Sequence, residues 1–264
     1  MRINHDLTSK KNLMELSSSR DFSASTPINM KYIILGSPRS GSTLVSRILF
    51  ETNMAGDPLE FFNRYLLELE CRIKGHKELT FDRFLSEMKL RRTSPNGVFG
   101  MQLHYSQLLM RFSSDRLNNT MIGFVLDFDK HIWLRRRNKL RQAISFAIAK
   151  KSGAWSSEDD KKNEKLDVAD ISMSDILTAL SFVSLNDHGW ESLISAAKLD
   201  VHEVWYEDLI ANYHSVCSDI FNFLQISTNI DMVPPPPISK QGTDLNEKLF
   251  SDALNWLGVN EEPV

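Results

Sequence analysis

The sequence predicts an α/β domain: a mainly parallel sheet flanked by helices, with a phosphate-loop-like turn after its first strand. Three observations predict it. Short apolar runs alternate along the chain with longer segments of helical period. The first run, "KYIILG", ends in the glycine- and serine-rich "SPRSGST", and a helical segment follows at once. The 264 residues, 42% hydrophobic and 25% charged, suffice for a large domain with an ample core.

Residues 1–28 lack a continuous apolar centre, so they read as a polar, loosely ordered extension rather than a secretory signal; packing on the surface or on a partner is the other reading. Residues 29–264 read as a single domain. "KYIILG" is a buried strand, and "TLVSRILFETN" is the helix after the loop, with Leu44, Ile48 and Leu49 on one face. "EFFNRYLLELECRIKG" and "FDRFLSEMKLRR" are amphipathic helices, "GVFGMQLH" a strand and "YSQLLMRFSSDRL" a helix. "HIWL" is a further strand and feeds the helix "RQAISFAIAKK". "KKSGAWSSEDDKKNEKLDVAD" is polar and charged, which predicts a long mobile loop. After another helical region, "VHEVWY" is strand-like and "EDLIANYHSVCSDIFNFLQI" reads as one periodic helix. "PPPP" at 234–237 is a stiff connector to the last segment.

Several function classes find no support. A formal net charge of -3 gives no electrostatic reason to expect nucleic acid as a partner. No apolar stretch approaches the roughly 20 residues of a membrane helix. Cys71 and Cys217 lie far apart in helical segments, as expected of reduced thiols in a cytoplasmic protein. The seven histidines are scattered without metal-ligand spacing, so no metal site is expected.

The loop carries the chemistry. A nucleotide-binding loop of the usual GxxxxGK[ST] form sets a lysine against the outer phosphates. Here Gly36 and Gly41 have the right spacing, but Ser42 holds the lysine slot and the only cation is Arg39. A triphosphate is a poor ligand without that lysine. A sulfuryl group joined to a single phosphate carries less charge, and one guanidinium near the bridging oxygen can serve it. Backbone amides at the helix start, with the hydroxyls of Ser40, Ser42 and Thr43, complete an anion cradle. Taken alone, the loop also fits a plain turn with surface serines and an arginine in a salt bridge.

Sulfuryl transfer to an alcohol needs a base. "AGDPLEFFNRY" offers Asp57 and Glu60, the latter beside Phe61 and Phe62, whose rings would exclude water and raise its proton affinity. The same spacing fits a helix start, with Asp57 as N-cap and Glu60 as its capping-box partner. Both readings stand on spacing.

Together, "LGSPRSGSTLVSRIL" and "AGDPLEFF" resemble the bacterial trehalose 2-sulfotransferase family, to which nodulation-factor sulfotransferases are related. The resemblance continues through "SPNGVFGMQLHYSQ", "RRRNKLRQAISFAIAKKSGAW" and "KQGTDLNEKLF", in the family's order, over most of residues 31–250. It implies the P-loop-like sulfotransferase fold and transfer of a sulfuryl group from 3′-phosphoadenosine 5′-phosphosulfate (PAPS) to a hydroxyl, on a carbohydrate or glycolipid, without a metal. Pro38, Arg39, Ser40, Gly41, Ser42 and Thr43 would hold the 5′-phosphosulfate. Arg39 would be the catalytic cation and Glu60 the catalytic base, with Asp57, Glu60 and Phe61 on the acceptor side. Ser145 and Arg136 would hold the 3′-phosphate, with Arg135 and Arg137 leaving the register open. A homodimer is compatible with the resemblance.

Two departures stand out. Asn138 replaces an aspartate expected in an HRxD-like stretch, and Gln102 stands where lysine is common. Lys240 and Gln241 are either a closure over the cofactor or a surface loop. Trp155 is either a stacking partner for adenine or a hydrophobic anchor. His104 either faces the acceptor or is structural. Two rivals remain: a P-loop phosphotransferase using ATP, which Ser42 argues against, and a non-catalytic nucleotide-binding relative, which Glu60 and the intact "PRSGST" argue against.

Overall fold

The computed structural model describes residues 14–22, 26–114, 117–155, 166–227 and 244–259. Its centre is a four-stranded sheet in which every pairing is parallel: β1 (Met30–Gly36), β2 (Val98–His104), β3 (Lys130–Arg135) and β4 (Val201–Trp205), in the spatial order β2-β1-β3-β4. Parallel strands need long crossovers, and these supply the helices. α1 (Ser42–Glu51), α2 (Arg64–Lys74) and α3 (Phe81–Arg92) lie between β1 and β2. α4 (Tyr105–Arg111) and α5 (Asn119–Leu126) precede β3, and α6 (Lys139–Ser152) and α7 (Met173–Ala197) precede β4. α8 (Tyr206–Ala211), α9 (Tyr213–Phe223) and α10 (Asp244–Leu257) follow.

β1 and β2 are nearly continuous buried runs because both faces of the sheet are covered there, whereas β4, at the edge, is mostly half-buried and exposes Glu203. In β1 the alternation splits the core in two. Ile33 and Leu35 join one cluster with Phe61, Phe84, Phe99 and Trp190. Tyr32 and Ile34 face the other, with Val45, Ile48, Leu49, Ile220 and Phe221. A third cluster packs α6, α7 and α10 together through Ile144, Phe146, Ile176, Val183, Leu249 and Phe250. Because β1 is flanked by β2 on one side and β3 on the other, the connections diverge at its carboxyl end. Such a switch point leaves a crevice where ligands bind in open α/β sheets.

Several expectations are corrected. "DPLE" does not start a helix. α2 begins at Arg64, capped by Asn63, whose side chain accepts from the Tyr65 amide at 3.0 Å. Residues 52–63 instead cross to β2, where Leu59 pairs with Met101 and accepts from the Gln102 amide at 2.9 Å. The helix expected over 207–226 breaks at Asn212, whose backbone (φ -128°, ψ 49°) is not helical. The helix after β2 stops at Arg111, with Ser113 at φ 48°. α5 was not foreseen. α6 carries the chain helically to Ser152, into the stretch expected to be a loop, and Val168–Asp170 forms a 3-10 turn; residues 156–165 of that stretch lie outside the described residues. "PPPP", Lys240 and Gln241 lie outside the described residues.

The described part of the N-terminal segment is docked rather than loose. Leu16 is buried in the first core cluster, and Arg20 is also buried. Cys71 and Cys217 are free thiols. Burial raises the pKa of Cys217 to about 11, with a smaller opposing effect from its hydrogen bond with Tyr213. No helix among the described residues is long and apolar enough to cross a membrane.

Candidate active site

The carboxyl ends of all four strands converge on one region. After β1 the chain turns through Ser37–Gly41 in a conformation that costs energy: Arg39 sits at φ 64° and Gly41 at φ 97°. A left-handed arginine is uncommon, at a cost of about 1–3 kcal/mol, and persists only where its surroundings hold it. Three elements supply that hold. Gln142 of α6 donates to Ser37 Oγ and to the Pro38 carbonyl, both at 2.8 Å. Trp190 of α7 donates to the Gly36 carbonyl at 2.8 Å. Tyr206, at the start of α8, lays its ring against Gly41, where a Cβ would come within 2.6 Å of its Cδ2. Glycine is therefore required at position 41 twice over, by dihedral angle and by space.

α1 then starts without a side-chain cap. The amides of Leu44 and Val45 both reach the Gly41 carbonyl, at 2.9 and 3.2 Å. The Ser40 amide turns back to the Ser37 carbonyl at 3.2 Å, and the first amides of a helix, which lack intrahelical partners, give its end partial positive charge. Ser40 Oγ is buried and lacks a hydrogen-bond partner. An uncapped helix start beside an orphaned buried hydroxyl is a donor set that fits an anionic group.

The structure separates the three consecutive arginines after β3. Arg135 is held by Glu191 and Glu203 at 2.6 and 2.8 Å. Arg137 pairs with Asp208 at 2.7 Å. Arg136 turns to the loop, donating to the Arg39 carbonyl at 3.4 Å with its guanidinium 4.8 Å from the centre of the Tyr206 ring. Its buried Nε has no hydrogen-bond partner, and Glu207 stays 3.9 Å away. Burial pushes this guanidinium down from its usual pKa, against smaller opposing pulls from Tyr206 and Glu207. A desolvated guanidinium so weakly compensated favours an added anion.

Ser145 of α6 accepts from Arg39 Nε at 3.0 Å, and the Trp155 carbonyl accepts from Arg39 Nη1 at 2.7 Å. Arg39, Arg136 and Ser145 thus form one cluster, although the sequence assigned them to two ends of a nucleotide. The Trp155 ring packs on Phe146, with centroids 5.8 Å apart, which fits the anchor reading. Asn138 accepts from the Arg141 amide at 2.9 Å and caps α6. Asparagine and aspartate cap comparably, so that departure leaves the helix intact. Lys139 pairs with Asp187, and Arg141 with Glu247, so the basic run is not simply solvated.

Glu60 lies in a cleft beside this cradle, lined with Thr43, Ser46, Arg47, Leu59 and Gln102, and with Glu15 and Arg20 from the N-terminal segment. Gln102 donates to its Oε1 at 2.9 Å and Gln107 to its Oε2 at 2.7 Å, while His104 Nδ1 stands 3.7 Å from Oε2. Ser46 in turn donates to Gln102 Oε1 at 2.8 Å. Gln102 thereby ties α1 to Glu60. The phenylalanines do not do what the sequence suggested. Phe61 stacks on Phe99 and Phe62 packs against Phe124, both turned into the core rather than towards the carboxylate.

Asp57 and Phe61 are each 0% exposed, so the expected acceptor contact fails for both. Asp57 is instead the buried partner of two arginines. Arg20 donates through Nε at 2.9 Å and also through Nη2, and Arg92 through Nη1 at 2.8 Å. Reading the sequence missed Gln107, Gln142, Trp190, Tyr206, Arg20 and Arg47. Arg47, Gln107 and Gln142 lie inside stretches that carry the resemblance but were not singled out there, whereas Arg20, Trp190 and Tyr206 lie outside them. Among the described residues no group of three or more histidine, cysteine or carboxylate side chains is gathered as a metal site.

Comparison with known proteins gives a family. A family model described as Stf0 sulphotransferase matches residues 31–250. The chain is 23% identical over 248 residues to a trehalose 2-sulfotransferase of Mycolicibacterium smegmatis, covering 82% of this chain and 91% of that one. It is 22% identical over 249 residues to the trehalose 2-sulfotransferase of Mycobacterium tuberculosis, with the same coverage. Among solved structures, a sulfotransferase domain from the curacin biosynthetic pathway aligns at a TM-score of 0.49 and 15% identity, covering 90% of this chain and 94% of that one. One from the Synechococcus PCC 7002 olefin synthase aligns at 0.41 and 18%, covering 92% of each.

Proposed function

This chain belongs to the Stf0 sulphotransferase family, and from that premise we propose that it moves a sulfuryl group from PAPS to a hydroxyl of a carbohydrate or glycolipid. The observation that carries the reading is the shared cleft: Thr43, at the start of α1, and Glu60 line the same cavity. A donor cradle and a carboxylate base must meet in this way for direct transfer.

When bound, PAPS supplies an activated sulfuryl group. The amides of Gly41, Ser42 and Thr43 and the hydroxyls of Ser40, Ser42 and Thr43 hold the 5′-phosphosulfate, with Pro38 shaping the turn. Arg136 and Ser145 hold the 3′-phosphate. Arg39, on leaving the Ser145 hydroxyl and Trp155 carbonyl to which it is bonded here, offers positive charge to the phosphate oxygen that loses the sulfuryl group. Glu60 takes the proton of the acceptor hydroxyl, and the side-chain amides of Gln102 and Gln107 aim its two oxygens. The carbohydrate class rests on the names of the two mycobacterial relatives.

The test joins binding to turnover. 3′-Phosphoadenosine 5′-phosphate raises the melting temperature in the absence of magnesium, by the equivalent of about 2.7 kcal/mol at 100 times its Kd. ATP does much less, since no lysine stands in the loop. Labelled sulfate then passes from PAPS to components of a panel of sugars and glycolipids. Equal stabilisation by both nucleotides, or by neither, contradicts the donor assignment.

A further inference from the structure

Arg39 stands in left-handed backbone, and the stretch 136–142 grips the peptide groups on both sides of it. Gln142 donates through Nε2 to the Pro38 carbonyl at 2.8 Å, on the peptide before Arg39. Arg136 donates through Nη1 to the Arg39 carbonyl at 3.4 Å, on the peptide after it. The first grip is the closer and the drier. Gln142 also donates to Ser37 Oγ at 2.8 Å, and both Gln142 and Ser37 are 0% exposed.

Behind Gln142 stands a chain of polar groups that the transfer step does not use. Lys139, at the first position of α6, donates to Gln142 Oε1 at 3.4 Å and pairs with Asp187 of α7. The Lys139 contact is long for a hydrogen bond, yet a full positive charge so near sets the sense of a buried amide dipole. Asp187 is buried, and its Oδ1 has no hydrogen-bond partner among the described residues, so this carboxylate depends on Lys139. Each link runs in one direction, because an ammonium only donates and a backbone carbonyl only accepts. Gln142 therefore turns its oxygen to Lys139 and its NH2 to Pro38. The flipped amide would set donor against donor and acceptor against acceptor. α6 itself gives no reason for the lysine, since a cation at a helix N-terminus opposes the dipole.

We propose that Gln142 is a positioning residue for the donor loop, and that Lys139, held by Asp187, acts through it by fixing the sense of its amide. The relay keeps the Pro38–Arg39 peptide in the orientation that a left-handed Arg39 requires. Without that hold the arginine relaxes to an ordinary backbone conformation, and the turn that leads into the cradle loses its shape. This inference rests on the donor assignment above and extends it to three residues that do not themselves touch the donor.

The experiment measures the Kd of 3′-phosphoadenosine 5′-phosphate by calorimetry on the full chain, with melting in the absence of nucleotide followed in parallel. Wild type, Gln142→Leu, Lys139→Met, Lys139→Arg and the double variant Q142L/K139M are compared. Gln142→Leu raises Kd by about tenfold, and Lys139→Met by about fivefold, as expected when hydrogen bonds that shape the loop are lost. Lys139→Arg keeps a donor-only cation and stays within about twofold of wild type. The double variant binds no worse than Gln142→Leu alone, because Lys139 acts through Gln142. In labelled-sulfate transfer the KM for PAPS rises while the acceptor KM is unchanged, a split that a general loss of folded protein does not produce.

A wild-type Kd in folded Gln142→Leu overturns the proposal. Multiplied effects in the double variant, or a Lys139→Arg as weak as Lys139→Met, overturn the part given to Lys139. Should Gln142→Leu fail to fold, the Lys139 variants decide, at a side chain 30% exposed: a wild-type Kd in Lys139→Met overturns the relay. A wild type that binds the nucleotide but transfers no sulfate contradicts the transfer reading alone, and the Kd series still decides the relay. A wild type that does not bind the nucleotide contradicts the donor assignment, and the relay falls with it.

Discussion

Glu60→Gln lowers turnover of labelled-sulfate transfer by about 10²–10⁴-fold, the usual contribution of a positioned general base, or about 3–5 kcal/mol of barrier. The substitution is conservative in volume. It replaces an oxygen that accepts from Gln102 or Gln107, a loss of about 1.5–3 kcal/mol for one hydrogen bond to a charged group, below the roughly 5–15 kcal/mol that holds a domain folded. The cradle that holds the nucleotide starts from a different strand end, so stabilisation by 3′-phosphoadenosine 5′-phosphate is retained. Turnover at saturating donor and acceptor is the quantity to compare. Unchanged turnover removes Glu60 from the chemistry, whereas joint loss of turnover and nucleotide binding identifies it as part of the scaffold.

Asp57→Asn has the largest expected effect on stability. Asp57 and Arg92 are both 0% exposed and Arg20 is 6% exposed, so the ion cluster is dry. Burial pushes the Arg92 guanidinium down from its usual pKa, and the charge of Asp57 is the largest opposing influence. Removing one member of a buried pair leaves an uncompensated charge and costs about 3–5 kcal/mol. With roughly 2–4 °C per kcal/mol for a domain of this size, the melting temperature falls by about 6–20 °C. A melting temperature equal to wild type would show that the cluster contributes no net stability.

The contrast between Asp57 and Glu60 shows where the sequence is legible. Two carboxylates three residues apart read equally well as a helix cap or as chemistry. Only the fold separates them, sending Asp57 inward to Arg92 and leaving Glu60 in the cleft. β1 and β3 were legible because inner parallel strands are covered on both faces and so carry unbroken apolar runs, as in "KYIILG" and "HIWL". The loop was legible because glycine at position 41 answers a local backbone demand. α5 was missed, and the 207–226 segment was read as one helix, since a break at Asn212 carries no proline or glycine signal.

The rest of the site depends on contacts that no local pattern encodes. Gln107 reaches Glu60 across 47 residues of sequence, Gln142 reaches Ser37 across 105, and Trp190 reaches Gly36 across 154. Their side chains are ordinary for helices, and only the stacking of α6 and α7 on the sheet gives them work at the loop. Arg20 is the sharpest instance. In a polar N-terminal stretch it reads as solvated, yet it is buried against a carboxylate 37 residues away. Among Arg135, Arg136 and Arg137 the sequence could not choose, because the choice depends on acidic partners contributed by α7, β4 and α8.

The central claim is that the uncapped start of α1 and the Arg136–Ser145 cluster hold a donor nucleotide beside Glu60. A crystal structure with bound 3′-phosphoadenosine 5′-phosphate tests it most directly. The account predicts the 5′-phosphate on the amides of Gly41, Ser42 and Thr43, the 3′-phosphate against Arg136 and Ser145, and the cleft in front of Glu60 left open for an acceptor. A nucleotide seated away from the carboxyl end of β1, or one whose 3′-phosphate lies in the Glu60 cleft, would contradict it.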